Sequence, residues 1–267
     1  MLLYKLKKVN YIFDTRSLFI DESTLNGTIL KDGLNYKMWK YFEKKILQNS
    51  YKTTAVSLKQ KEYYEMIFPD VNIELIPCYI MPIEKIDNGE QLNLRKRIGF
   101  YKQDIVICYY GSLDNGWNNI DMYSAFFKEC IELNYKVLVI SQNYNNIIND
   151  NRLKNENIIL LNTNNLDNVE LLQYLQVADY GVVLMKKSAD WETRLSVKFV
   201  EYLNAGLQVI VGEYVGEAVR YAKKEFQERS IVYSDVKDIS KLNIKGFYTN
   251  ERTDILFGHK NLRKVVN

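Results

Sequence analysis

The chain has 267 residues, 47% of them hydrophobic and 26% charged, with 36 Lys and Arg against 33 Asp and Glu. That length predicts one large domain or two smaller ones, and that balance a folded chain with a real core. A formal charge of +3 is too weak to argue for nucleic-acid recognition. Three scattered cysteines (Cys78, Cys108, Cys130) and a single histidine, His259, lack the spacing of a zinc site; reduced thiols in a cytoplasmic protein are expected. The basic and then apolar start, MLLYKLKKVNYIFD, is broken by lysines and followed by no small-residue cleavage site, so it does not read as a signal peptide. The longest apolar run, near Ile105 to Tyr110, is far short of the ~20 residues of a membrane span. Cytoplasmic localisation is expected, with contact at the inner membrane face confined to the periphery.

In chain order, Val9–Phe13 reads as a strand followed by an acidic loop from Asp14 to Asn26. Tyr36–Gln48 has helical spacing, Lys52–Ser57 is a short strand, Lys59–Ile67 a helix and Asn72–Ile76 a strand closed by Pro77. Met81–Asn88 contains Pro82 and no periodicity, which marks a linker. Beyond it, strands are predicted at Asp104–Tyr110, Tyr135–Ser141, Ile158–Leu161, Tyr180–Met185, Gln208–Gly212 and Ile231–Tyr233. Helices are predicted at Ile120–Leu133, Val169–Val177, Val197–Asn204 and Glu217–Glu228, with Asp254–Val266 as a closing helix. Short apolar strands alternating with helices predict an α/β fold with a doubly wound, Rossmann-like parallel sheet. The expected domains are 1–84, a partial α/β N-terminal domain and linker, and 85–267, a nucleotide-binding domain with its tail. The first offers about three strands and two helices, fewer than a balanced sheet needs, and reads as the latter part of a domain lacking its first strands.

The most informative stretch is Leu195–Val211, LSVKFVEYLNAGLQVIV. Ser196 is a plausible N-cap and Gly206 a plausible C-terminal glycine, with Lys198 and Glu201 sharing one helix face between them. A helix start with open N–H groups and a lysine suits a diphosphate, and a glutamate one turn deeper suits ribose hydroxyls. The same spacing also suits an ordinary surface lysine–glutamate pair. Gly111-Ser112 follows a strand, where a sheet of this kind binds ligands, or is simply a tight turn. Asp14 and Arg16 form a polar pair near a strand end; Trp117 and Trp191 could stack on a base or sugar, although buried packing is the commoner fate of tryptophan. Neither a Walker loop nor a G-x-G-x-x-G fingerprint occurs.

This stretch resembles the donor-site signature of family 4 glycosyltransferases, S-P-x-K-x-x-E-Y-L-A-x-G-x-P-V-I. Lys198, Glu201, Tyr202, Leu203, Gly206, Val209 and Ile210 match, whereas Ser196, Asn204 and Gln208 depart from it. FDTRSLFIDE at Phe13–Glu22, IPCYI at Ile76–Ile80, ICYYGSLDNGW at Ile107–Trp117 and the Val215–Gly216–Glu217 turn are similar to further motifs of that family, in the same order. The resemblance implies the two-domain GT-B fold and transfer of a sugar from a nucleotide-diphosphate donor to a carbohydrate or lipid-linked acceptor, as in polysaccharide biosynthesis, with retention of configuration. It implies catalytic roles for Lys198, Arg194, Asp14 and Arg16, and donor contacts from Gly111, Ser112, Glu201, Glu192 and Gly216. The first glutamate of the family's pair falls on Thr193, with Glu192 adjacent, and many relatives carry an arginine where Ser112 lies. Lys186 and Lys187 are further candidates for the phosphate charge. Neither cofactor nor metal is implied. A second reading is a non-catalytic nucleotide-sugar-binding subunit completed by a separate chain, with self-association expected from the short first domain. A nicotinamide-dependent oxidoreductase is the third, disfavoured by the missing glycine fingerprint.

Overall fold

The computed structural model describes residues 10–25, 27–77, 84–113, 118–166 and 168–243. Val9, Cys78, residues 81–83 of the expected linker, Trp117, His259 and the closing helix lie outside the described residues. The chain divides into two compact units. The first gathers the chain up to Tyr79 and takes back Lys187–Leu195, and the second holds Ile80–Lys186 and the stretch from Ser196. The return of Lys187–Leu195 to the first unit has no counterpart in the sequence boundary near residue 84, because no composition change marks either end of it.

In the first unit, β1 (Ile12–Thr15), β2 (Lys52–Ala55) and β3 (Ile73–Leu75) form a parallel sheet in the order β1-β2-β3. Phe13 lies opposite Thr53, and Thr53 opposite Ile73. The expected acidic loop contains a helix, α1 (Phe19–Leu25), which buries Ile20 and Ser23 and sets Asp21 and Glu22 in its first turn, where the helix dipole favours acids. Next come α2 (Leu34–Asn49) and α3 (Leu58–Ile67). Ser57 caps α3 by accepting from the Gln60 N–H. Leu18, Leu47, Ala55, Tyr64 and Ile73 form the core of this unit.

The second unit opens with α4 (Asn88–Ile98), where the sequence predicts no element. Asp87 caps it and Gly99, at φ 100°, ends it in the left-handed region. The sheet strands are β4 (Val106–Tyr110), β5 (Lys136–Ser141), β6 (Ile158–Asn162), β7 (Tyr180–Val183), β8 (Gln208–Gly212) and β9 (Ser230–Tyr233). All pair in parallel in the order β6-β5-β4-β7-β8-β9, a doubly wound sheet as the alternation predicts. Its helices are α5 (Ile120–Glu132), the single turn α6 (Tyr144–Ile147), α7 (Asn168–Leu175), α9 (Val197–Asn204) and α10 (Gly216–Lys224); α8 (Ala189–Thr193) belongs to the first unit.

Strand alternation sends Ile107, Tyr109, Val137, Val139, Tyr180 and Val182 to one face. There they pack with Tyr123, Phe126, Phe127 and Cys130 of α5. The opposite face receives α9, which packs on β7 and β8 and buries Phe199, Val200, Tyr202 and Leu203. Burial on both faces is why these strands read as continuous apolar runs. Cys108 and Cys130 are free thiols inside this core, and burial pushes both thiols well above their usual range.

Candidate functional site

The strand order reverses between β4 and β7, so β5 and β8 lie on opposite sides of a switch point at the carboxyl ends of the strands. Gly111 leaves β4 at that end with φ 135°, a conformation an L side chain rarely adopts, and its N–H donates to the Ile140 carbonyl at 2.9 Å. A Cβ at this position would stand 2.7 Å from Lys198 Cε and 3.1 Å from Nζ. The end of the Lys198 side chain therefore passes directly over the bare glycine. The ammonium also lies 5.8 Å from the centre of the Tyr109 ring, whose hydroxyl donates to the Ser112 carbonyl at 2.7 Å.

Tyr202 holds this turn from the other side. Its buried ring lies across β7 at Gly181, where a Cβ would be 2.1 Å from the ring Cγ. Its hydroxyl accepts the Tyr110 N–H at 2.8 Å, one residue before Gly111. Glu201, half-buried on α9, has its carboxyl pushed above the ordinary range by burial, partly offset by Lys198. Burial and the Glu201 charge together raise the Tyr110 phenol. Lys198, Glu201, Tyr110 and Gly111 thus share one electrostatic neighbourhood at the switch point. Gly216 starts α10 just beyond β8, on the same carboxyl edge; the turn before it is closed by the Val215 N–H donating to Gly212. Glu217 is buried and ion-paired to Arg220 at 2.8 Å.

Gly111, Ser112, Lys198, Glu201 and Gly216 therefore gather at one end of one sheet. Asp14, Arg16, Glu192 and Arg194 belong to the other unit. Asp14 lies within β1, where it accepts from Thr54 Oγ1 at 2.6 Å and pairs with the well-exposed Arg16 at 3.1 Å. Arg194 is engaged by Glu22, by Asp190 Oδ2 at 3.2 Å and by the Trp191 ring, 4.9 Å away. Its two carboxylate partners hold the guanidinium within the first unit. Trp191 itself is buried, its ring packed against Arg194. Glu192 is exposed in the first turn of α8.

Residue types alone did not single out Tyr109, Tyr110 and Gly181. Their signal is geometric, since a glycine inside an apolar strand marks a close neighbour only once that neighbour, Tyr202, is in place.

The fold matches solved structures of GT-B glycosyltransferases. Sucrose-phosphate synthase from Thermosynechococcus elongatus superposes with a TM-score of 0.60 at 13% identity, over 89% of this chain and 59% of that one. An α,α-trehalose-phosphate synthase (UDP-forming) from Burkholderia xenovorans, in complex with glucose-6-phosphate, gives 0.56 at 11% identity over 90% and 60%. The E. coli trehalose-6-phosphate protein bound with UDP-2-fluoro glucose gives 0.56 at 12% identity over 86% and 58%. The chain is similar to these in fold, and it spans about 60% of their length. No protein-family model matches it, and no curated protein sequence does.

Proposed function

We propose that the second unit binds the nucleotide diphosphate of a sugar donor, and that the chain serves transfer of that sugar to a carbohydrate or lipid-linked acceptor with retention of configuration. The observation that carries this reading is the apposition of Lys198 to Gly111 at the switch point. An ammonium over a side-chain-free turn leaves room for phosphate oxygens to approach both the backbone and the charge. Lys198 would stabilise the leaving diphosphate, helped by the backbone N–H groups that open α9. Glu201 would accept hydrogen bonds from ribose hydroxyls, with Ser112 and Gly216 flanking the phosphates. The acceptor's proton would pass to the leaving phosphate, so the proposal needs neither a metal nor a protein base. Glu192, Asp14 and Arg16 remain the proposed sugar and acceptor contacts of the first unit. Arg194 would act there through its charge while held by Glu22 and Asp190.

A second reading, a nucleotide-sugar-binding subunit completed by another chain, is favoured by the first unit's sheet. Among the described residues it has three strands, and β1 and β3 are open edges.

Calorimetric titration with UDP, GDP and NAD tests the donor assignment. UDP or GDP should bind more tightly than NAD; equal or NAD-preferring affinity rejects it. Nucleotide release from UDP- or GDP-sugars, measured with and without sugar-phosphate acceptors, then separates enzyme from binding subunit.

A further inference from the structure

Helix α2 wears its polarity inside out. Its inward side carries Glu43, which is buried, beside Leu47. Lys40 reaches from it to Asp21 at 2.8 Å and to Glu43 at 3.2 Å, and the Tyr64 hydroxyl donates to Glu43 at 3.3 Å. The outward side is apolar and aromatic. Leu34 is 87% exposed, Met38 44%, Tyr41 55% and Phe42 39%. At 100° per residue, Leu34, Met38, Tyr41 and Lys45 fall within an arc of about 60°. Leu30, just before the helix, is also exposed, as is Trp39.

Within the helix the exposed charges have one sign, although Asp32 is exposed in the turn between Leu30 and Leu34. Glu43 is the only acid in α2 and points inward, whereas Lys37 and Lys44 are exposed and Lys45 lies over the Tyr41 ring at 5.7 Å. A cavity of ≈ 380 Å³ lies alongside; Phe13, Phe19, Trp39, Phe42 and Ile46 give it a mainly apolar lining, and Asp14, Arg16 and Glu43 also border it. Trp39 and Phe42 belong to both, so the apolar surface runs from the helix into a recess that can admit part of an acyl chain.

A soluble surface rarely shows so continuous an apolar patch without a partner. Aromatic and aliphatic side chains on a helix whose exposed charges are lysines have the composition of a helix lying in a bilayer interface. Lysine stems extend along apolar surface while their heads reach anionic headgroups. We infer that the outward side of α2 seats the protein on an anionic lipid bilayer. The inference rests on this helix alone and does not depend on the proposed sugar transfer. Among the described residues no helix is long and apolar enough to cross a membrane, so the contact is one of surface binding.

The test uses the whole chain, sedimented with vesicles of phosphatidylcholine and with vesicles of equal phosphatidylcholine and phosphatidylglycerol. Partition onto the anionic vesicles should exceed that onto the neutral ones by roughly tenfold or more. A Leu34→Ser/Met38→Ser/Phe42→Ser variant and a Lys37→Glu/Lys44→Glu/Lys45→Glu variant should each lose roughly tenfold in partition. Thermal melting of each variant, followed by circular dichroism, reports whether it is folded. Trp39 provides a check in the otherwise unaltered protein. Anionic vesicles should shift its fluorescence to the blue, and the shift should vanish in Trp39→Phe. Absence of binding to anionic vesicles, or binding that folded variants retain, overturns the inference. So does a serine variant that changes only the sedimentation coefficient, which would assign the surface to a second copy of the chain.

Discussion

Asp190 lies where the returning segment meets the rest of the first unit. Its carboxyl accepts the Leu18 N–H at 3.2 Å and faces Arg194, with Glu22 and Asp21 nearby. Burial raises it to about 6, Glu22 and Asp21 add to the rise, and Arg194 and the Leu18 N–H oppose it. A carboxyl raised in the folded state binds more protons there than in the unfolded chain. Its stabilising contribution is therefore complete below pH ~4 and lost as the pH rises through about 6. Asp190→Asn should flatten the melting temperature profile between those limits, whereas an unchanged slope would assign the dependence to other groups. Gly181 supplies a prediction of a different kind. Its Cβ would occupy the fully buried Tyr202 ring, so Gly181→Ala should destabilise by about 3 kcal/mol or more through overpacking. It should also weaken nucleotide binding, because a displaced Tyr202 releases the Tyr110 N–H beside Gly111. Chemical denaturation and nucleotide titration check the two halves separately.

At the scale of elements, α9 and β8 begin and end where the sequence predicts. Apolar spacing, Ser196 and Gly206, the last at φ 89°, all point to the same limits, although Ser196 occupies the N-cap position without a side-chain capping bond. The helix α4 was invisible to that reasoning because its buried side is Gln91, Leu94 and Arg95. Arg95 is buried against the Asp179 carboxylate at 3.4 Å, and apolar periodicity does not register such a helix. In α1 the apolar Phe19 and Leu25 point outward while Ser23 is buried, so its pattern also reads as a loop. Spacing does locate α2, yet not which way its apolar side faces, since that depends on the Asp21–Lys40–Glu43 cluster drawing the other side inward. The Gly99 cap of α4 gives this scale its test. Gly99→Ala forces a side chain into φ 100°, and a Cβ there would lie 3.4 Å from Ile159 Cδ1. A loss of about 1 kcal/mol is expected by denaturant titration, and an unchanged midpoint would mean that the cap contributes nothing.

For the whole molecule, the α/β class and the parallel pairing of the second unit, though not its strand order, were legible because the central strands are covered on both faces. The chain's division was less so: Lys187–Leu195 joins the first unit through contacts such as Ser57 Oγ donating to the Thr193 carbonyl, which no local pattern announces. Lys198 and Gly111, named from separate motifs, meet in space; Arg194 and Lys198, four residues apart, fall in different units. The central claim is that the Lys198–Gly111 pair makes a diphosphate site. Calorimetric titration of Lys198→Ala against the unaltered chain, with whichever of UDP or GDP binds better, tests it most directly. Loss of one charge-assisted hydrogen bond predicts weaker binding by about 1.5–3 kcal/mol, roughly ten- to 150-fold, with the melting temperature of the ligand-free protein little changed. Equal affinity of the two proteins would contradict the account and return Lys198 to the role of a surface charge.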